Sequence, residues 1–98
     1  MTNTLVVNTL VQLHQTIQAK GGHDPGAVQA STCPLRDLPG FDSLLVPVIF
    51  RRLARALEIT LPADYRVPNI YVGPDGRQRR TISEIAADFC KRFNAKAA

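Results

Sequence analysis

The chain has 98 residues, 45% of them hydrophobic and 20% charged, the composition of a single small globular domain spanning 1–98. A chain of this size buries roughly two thirds of its unfolded surface, which supports one modest core and excludes a deep substrate cavity. The excess of 12 Lys and Arg over 8 Asp and Glu, a net charge of +4, favours an anionic partner such as nucleic acid, phospholipid or an acidic protein face without choosing among them.

The opening stretch, "MTNTLVVNTLVQLHQTIQAK", has no basic start and does not read as a signal peptide. No apolar run approaches the roughly 20 residues that span a bilayer, so the expected setting is the cytoplasm. Within the stretch Leu5, Val6, Leu10, Leu13 and Ile17 recur at helical spacing. Thr2, Asn3 and Thr4 are able N-caps and Gly21-Gly22 is a natural stop, which predicts a helix over about 4–20 with one apolar face. Residues 21–40 follow with four glycines and three prolines. They read as a long loop with one short turn near Ala27–Ala30, its end tied down by buried Leu35 and Leu38. Loops this long in compact domains are usually functional or mobile.

A second helix is expected from Asp42 or Ser43 to about Leu57, with Leu44, Val48, Leu53 and Leu57 on its apolar face and Ile49 and Phe50 widening it. Pro47 would crowd the carbonyl of Ser43 in such a helix. Either the first turn is distorted or the regular helix begins nearer Val46. In "EITLPADYRVPNIYVGPDGRQRRTI", Pro62 and Pro68 argue against a long helix. There "RVPNIYV" and "RQRRTI" flank a "GPDG" turn, which predicts an irregular segment or a short β-ribbon. Thr81 and Glu84 form a capping-box pattern ahead of a last helix lined by Ile82, Ile85, Ala86, Phe89 and Phe93, with Lys91 and Arg92 suiting the dipole of its last turns. The whole reads as all-α, a small antiparallel bundle of three main helices and a monomer.

Helix, long loop, "DSL" at the head of a second helix, proline-bounded connection and a final helix opened by "TISEI" is an order that resembles the acyl carrier protein family, including its peptidyl carrier relatives. The likeness covers about residues 4–93 and is most specific in "DLPGFDSLLVPVIFRRLARALEITLP", which is similar to the family's Asp-Ser-Leu site, second helix and following proline. The resemblance implies an acyl-carrier-type bundle that performs no catalysis itself. A separate phosphopantetheinyl transferase would attach the 4′-phosphopantetheine half of coenzyme A to Ser43. The arm's thiol would then carry acyl or aminoacyl groups as thioesters between separate enzymes of fatty acid, polyketide or nonribosomal peptide synthesis. Asp42 would help position the transferase's metal and amine groups, and Leu44 would be a partly exposed apolar contact for it. An unactivated serine needs an outside base and metal, so this chemistry asks for exposure at a helix N-terminus, where a phosphodiester also meets a favourable dipole.

The chain departs from the family's usual acidity. Two, five, eleven and twelve residues beyond the serine, where those carriers often have acids, stand Leu45, Val48, Ala54 and Arg55, and Arg51 and Arg52 add to the reversal. Complementarity of charge sets encounter rate and partner choice, so the loading enzyme is expected to present an acidic docking surface to Arg51, Arg52 and Arg55. Pro47 and the "VPNIYVGPDGRQRR" stretch, where a short helix would normally lie, are further departures.

Read without the resemblance, Asp42-Ser43 is an ordinary N-cap pair, and the three arginines are a solvated helix face. Leu44, Leu45, Val48 and Ile49 are too many apolar residues in one turn to point inward together, so Leu45 or Val48 is expected at the surface as a small docking patch. The alternative function is a carrier-like interaction module, never modified, that binds a protein or anionic partner through its basic surface. Arg66, Arg77, Arg79 and Arg80 could form a strip for phosphate groups or RNA. Only Tyr65 and Tyr71 are available to stack bases, which makes nucleic acid the weakest of the three readings. His14 and His23 read as surface residues, and no third ligand at fixed spacing supports a metal. Cys33 and Cys90 lack any CxxC spacing and are expected reduced, Cys90 packed near Phe89 and Phe93, Cys33 a candidate for exposure before Pro34.

Overall fold

The first helix begins where Thr2 accepts the Leu5 amide on its Oγ1 at 3.1 Å, and α1 runs Asn3–Lys20. The computed structural model describes residues 2–97, with side chains through residue 93. Helix α1 ends in a glycine turn: the His23 amide reaches back to the Gln18 carbonyl at 2.8 Å and the Gly22 amide to that of Ala19 at 3.1 Å, while Gly22 takes φ +80°. This closure needs a left-handed residue after the helix, which glycine adopts without a Cβ penalty.

The buried face of α1 is only partly the expected one. Val6, Leu10, His14 and Gln18 are buried, one residue in every four, whereas Leu5 is half exposed and Leu13 and Ile17 are only partly covered. His14, expected at the surface, is fully buried; His23 is exposed. Spacing alone could not separate two adjacent stripes of one helix, and the stripe chosen carries two polar side chains.

The long loop is fastened rather than free. It holds a 3₁₀ turn at Pro25–Ala27 and a one-turn helix, α2, at Pro34–Asp37. Leu38 is buried and Leu35 only partly so. Cys33 is buried rather than exposed. The loop's main contribution is at the far end of the chain, where it caps α4 (Ile82–Ala97). The Ile82 amide donates to the Thr32 carbonyl at 2.9 Å and the Ser83 amide to that of Ala30 at 3.0 Å. The Glu84 amide donates to Thr81 Oγ1 at 3.2 Å, and Glu84 Oε1 accepts the Thr81 amide at 3.0 Å. The amides a helix start leaves orphaned are thus satisfied by the capping box and two loop carbonyls. These bonds to the Thr81 amide and hydroxyl hold the Glu84 carboxyl below its usual range. Helix α4 continues to Ala97, which places Lys91 and Arg92 within its last two turns.

The second main helix resolves the proline in the second of the two expected ways. A 3₁₀ turn, Ser43–Leu45, precedes α3, Val46–Ala56. Pro47 is therefore the second residue of the α-helix, where its missing N–H removes no helical hydrogen bond. Helix α1 packs against both α3 and α4. The inner face of α3 is Val46, Ile49, Phe50, Leu53 and Ala54, which leaves Val48 and Leu44 outside. Phe50 meets Phe89 edge-on at 5.3 Å between ring centres and stacks on Tyr65 at 6.0 Å. The structure is mostly helical. Among the described residues there is no strand, and the expected ribbon is reduced to one antiparallel bridge between Val72 and Arg79. No described helix is long and apolar enough to cross a membrane.

Helix α3 ends with the same closure as α1, Ile59 amide to Ala54 carbonyl at 2.8 Å and Glu58 amide to Arg55 carbonyl at 3.1 Å. Here the left-handed position is Glu58, at φ 60°. An L-residue with a Cβ is strained there by roughly 1 kcal/mol. Glu58→Gly should stabilise the protein by about 1 kcal/mol, raising the thermal midpoint by about 5 °C for a chain of this length; calorimetry checks it, and an unchanged or lowered midpoint refutes it.

Candidate functional site

Three rings meet where the loop reaches α3. His14 of α1 lies edge-on to Phe41 at 4.8 Å and to Tyr71 at 5.6 Å, and Phe41 and Tyr71 are 5.4 Å apart. All three are buried, and His14 Nε2 and the Tyr71 hydroxyl are hydrogen-bonded at 2.7 Å. Below them Gln18 Nε2 donates to the Pro39 carbonyl at 3.1 Å. Two polar residues of α1 thus hold both the end of the loop and the 69–79 segment. Among the described residues His14 Nδ1 has no partner, so one buried imidazole nitrogen is desolvated without compensation from them. Burial lowers the His14 pKa from 6.5 to about 4 and raises that of Tyr71, so both are neutral in the fold near pH 7.

Immediately after Phe41, Asp42 turns the chain into α3. Its Oδ1 accepts the Leu44 amide at 2.9 Å and its carbonyl accepts the Leu45 amide at 3.1 Å. Asp42 is the cap; Ser43 is not. Ser43 is exposed in the first 3₁₀ turn, and among the described residues none hydrogen-bonds to its hydroxyl. Leu44 is 82% exposed and Val48 41%, while Leu45 is partly covered by the core. The expectation that Leu45 or Val48 would be exposed is met at Val48. Leu44, far from forming the apolar face, is the most exposed large apolar side chain described.

Residues three or four apart share a helix face. Leu44, Val48, Arg52 and Arg55 therefore continue as one exposed stripe from the Ser43 turn down α3. Arg52 and Arg55 have no ion pair among the described residues. Arg51 is exposed as well, but its guanidinium donates to the Tyr65 carbonyl at 2.8 Å and ties α3 to the chain that follows it.

The "GPDG" turn builds the other side of the site. Asp75 Oδ1 accepts the amides of Arg77 at 3.0 Å and Gln78 at 3.3 Å, which holds its carboxyl below the usual range. Gly76 supplies the left-handed residue at φ +73°. The Arg80 amide donates to the Tyr71 carbonyl at 3.0 Å, so the returning segment is registered on the buried tyrosine. Successive side chains on an extended segment point to opposite sides. Arg80 is partly buried against Asp88 of α4, and Arg79 is exposed on the other side. A groove of about 350 Å³ lies there, with Leu35, Phe41 and Val72 as its apolar lining and Asp42, Ser43, Asn69 and Arg79 as its polar lining.

Of the basic 66–80 residues, Arg80 is therefore structural, while Arg66, Arg77 and Arg79 remain at the surface. Tyr71 is buried and offers no stacking face for bases, and Tyr65 has one ring face on Phe50. Among the described residues no three His, Cys, Asp or Glu side chains gather as a metal site. The residues that sequence reasoning missed are His14 and Gln18, whose signal was that they continue the four-residue spacing of Val6 and Leu10. Asn69 was missed too, and nothing in its local sequence marks it. Compared with models of known families, with curated proteins and with solved structures, the chain matches none.

The His14 shift has a definite sign. A histidine whose folded pKa lies below its unfolded value is stabilising above the unfolded pKa, and that contribution is lost as the pH falls toward the folded one. Stability should therefore be steady above pH 6.5 and fall by about 3 kcal/mol between pH 6.5 and 4. The paired replacement His14→Leu with Tyr71→Phe leaves no orphaned polar group and should flatten the slope between pH 6.5 and 5, read from urea unfolding at stepped pH. An equally steep slope in the double variant would remove His14 as its cause.

Proposed function

We propose that the chain is a carrier of acyl or aminoacyl groups, modified at Ser43 with 4′-phosphopantetheine. The observation that carries this reading is the division of labour at the head of α3: Asp42 caps the turn, and Ser43 is exposed with its hydroxyl uncommitted. A serine that existed only to start the helix would be spending its oxygen on a backbone amide.

In the modification, Ser43 Oγ bonds to the β-phosphorus of coenzyme A. The bond between that phosphorus and the bridging oxygen breaks, adenosine 3′,5′-bisphosphate leaves, and the serine proton passes to a base of the transferase. The residues present fit the group: the nucleophile is accessible and beside it lies a groove with both apolar and cationic lining. The arm, once attached, supplies a thiol for thioester formation. What the chain itself does is hold Ser43 at an exposed turn and offer Leu44 and Val48 as an apolar contact for the transferase and loading enzyme. Arg52 and Arg55 on the same stripe select partners with an acidic face, and Asp42 shapes the turn the transferase must recognise.

The 82% exposure of Leu44 also favours a second reading, an unmodified module that docks the same stripe on an acidic protein. The two differ in what they ask of Ser43. Incubation with coenzyme A, magnesium and a broad-specificity phosphopantetheinyl transferase should raise the intact mass by one phosphopantetheine, and Ser43→Ala should abolish the gain. Ser43→Ala should also leave folding stability within about 0.5 kcal/mol, whereas Asp42→Ala should cost about 1 kcal/mol as a lost cap. No mass gain on folded protein with several transferases would sink the carrier reading. Charge reversal at Arg52 and Arg55 would then be the decisive variant for the module.

A further inference from the structure

We propose that Arg79 is a positioning residue for the phosphodiester on Ser43, holding it and the first part of the arm in the groove between the Ser43 turn and the 69–79 segment; this rests on the carrier reading. Ser43 and Arg79 line the same groove, although 36 residues of sequence separate them. Arg79 is exposed and has no carboxylate partner among the described residues. Three other arginines are committed to carboxylates: Arg80 and Arg92 pair with Asp88, and Arg36 with Asp37.

Its backbone is fixed where a cation is needed. The bridge to Val72 and the bond between the Arg80 amide and the Tyr71 carbonyl register Arg79 against the buried core. The need for a cation comes from Asp42, which lines the same groove. A phosphodiester placed on Ser43 adds a second negative charge beside that carboxylate, and like charges in one site repel. A guanidinium offsets this and can form two parallel hydrogen bonds to phosphate oxygens. Asn69 adds a second donor: its Oδ1 accepts the Tyr71 amide at 3.1 Å, which leaves its NH₂ free of any described partner. Leu35, Phe41 and Val72 give the apolar part of the groove, suited to the methylated carbons of the pantoyl unit next to the phosphate.

The test loads the full chain from coenzyme A, verifies loading by intact mass, and reads the phosphorus NMR resonance together with the arginine Nε–H signals. In the folded, loaded wild type the phosphorus resonance should be displaced from its position in the same sample unfolded in urea. The Arg79 Nε–H signal should move on loading and that of Arg77 should not. Arg79→Gln should return the phosphorus resonance to the unfolded position, Arg79→Lys should retain part of the displacement, and Arg77→Gln should retain all of it. A displacement that survives in folded Arg79→Gln, or no displacement in the loaded wild type, overturns the assignment and leaves the carrier reading standing. A folded wild type that no transferase loads overturns both.

Discussion

A single buried hydrogen bond, His14 Nε2 to the Tyr71 hydroxyl at 2.7 Å, fixes the spatial relation between parts of the chain that have no regular structure of their own. Helix α1 is long and well capped, but the loop that ends at Phe41 and the segment around Tyr71 carry neither long helix nor strand. What locates them is the shared face of His14, with Phe41 on one side and Tyr71 on the other. A net contribution of about 1 kcal/mol is ordinary for such a bond, and leaving either partner alone in the core would cost more, about 1–3 kcal/mol. The bond is therefore worth less for its own stabilisation than for the alternatives it forbids: any packing that separates Tyr71 from His14 strands two polar groups in an apolar interior.

Everything at the candidate site inherits that constraint. Phe41 is followed at once by Asp42 and Ser43, and the Tyr71 carbonyl registers Arg80 and hence its neighbour Arg79. The groove between them is the surface expression of three rings packed beneath it. Elsewhere the chain spends its charges on structure: Asp88 gathers Arg80 and Arg92, Asp75 closes its own turn, Glu84 caps α4 and Arg51 binds a carbonyl. The arginines whose side chains make neither ion pair nor hydrogen bond among the described residues are Arg52 and Arg55 on α3, Arg66, and Arg77 and Arg79 beyond the glycine turn.

The helices were legible in the sequence because their signals are local. Thr2, the Gly21-Gly22 stop, the Thr81–Glu84 box and the position of Pro47 each act within a few residues, and their geometry follows from backbone hydrogen bonds that must be met. The faces were less legible. In α1 the apolar residues cover a broad arc, and only contact with Phe41 and Tyr71, distant in sequence, turns His14 and Gln18 inward rather than Leu13 and Ile17. In α3 the expected apolar face joined Leu44 and Val48 to Leu53 and Leu57, but Leu53 lies five residues beyond Val48 and falls on the opposite side, so Leu44 and Val48 stay outside with Arg52 and Arg55. Of the two forms expected before the last helix, irregular segment or short ribbon, the structure takes the irregular one, for a related reason. "VPNIYV" has the composition of a strand, but Tyr71 is drawn into the core, Asp75 ties up the turn, and one bridge is all the pairing that remains. At the site, Ser43 and Leu44 could be singled out in sequence, whereas the nearness of Arg79 and Asn69 is a product of tertiary packing alone.

The burial of Cys33 and Cys90, 4% and 5% exposed, has a consequence for sulfur chemistry. A thioester is lost by hydrolysis or by exchange with an accessible thiolate, and exchange needs both access and ionisation. The two native thiols are denied access by packing, and Cys90 is held further toward its protonated form by the same burial. A chain that carried an acyl group on an added thiol would have no competing sulfur of its own to receive it, and a thiol-alkylating reagent acting on the folded protein would report the added group against a silent background.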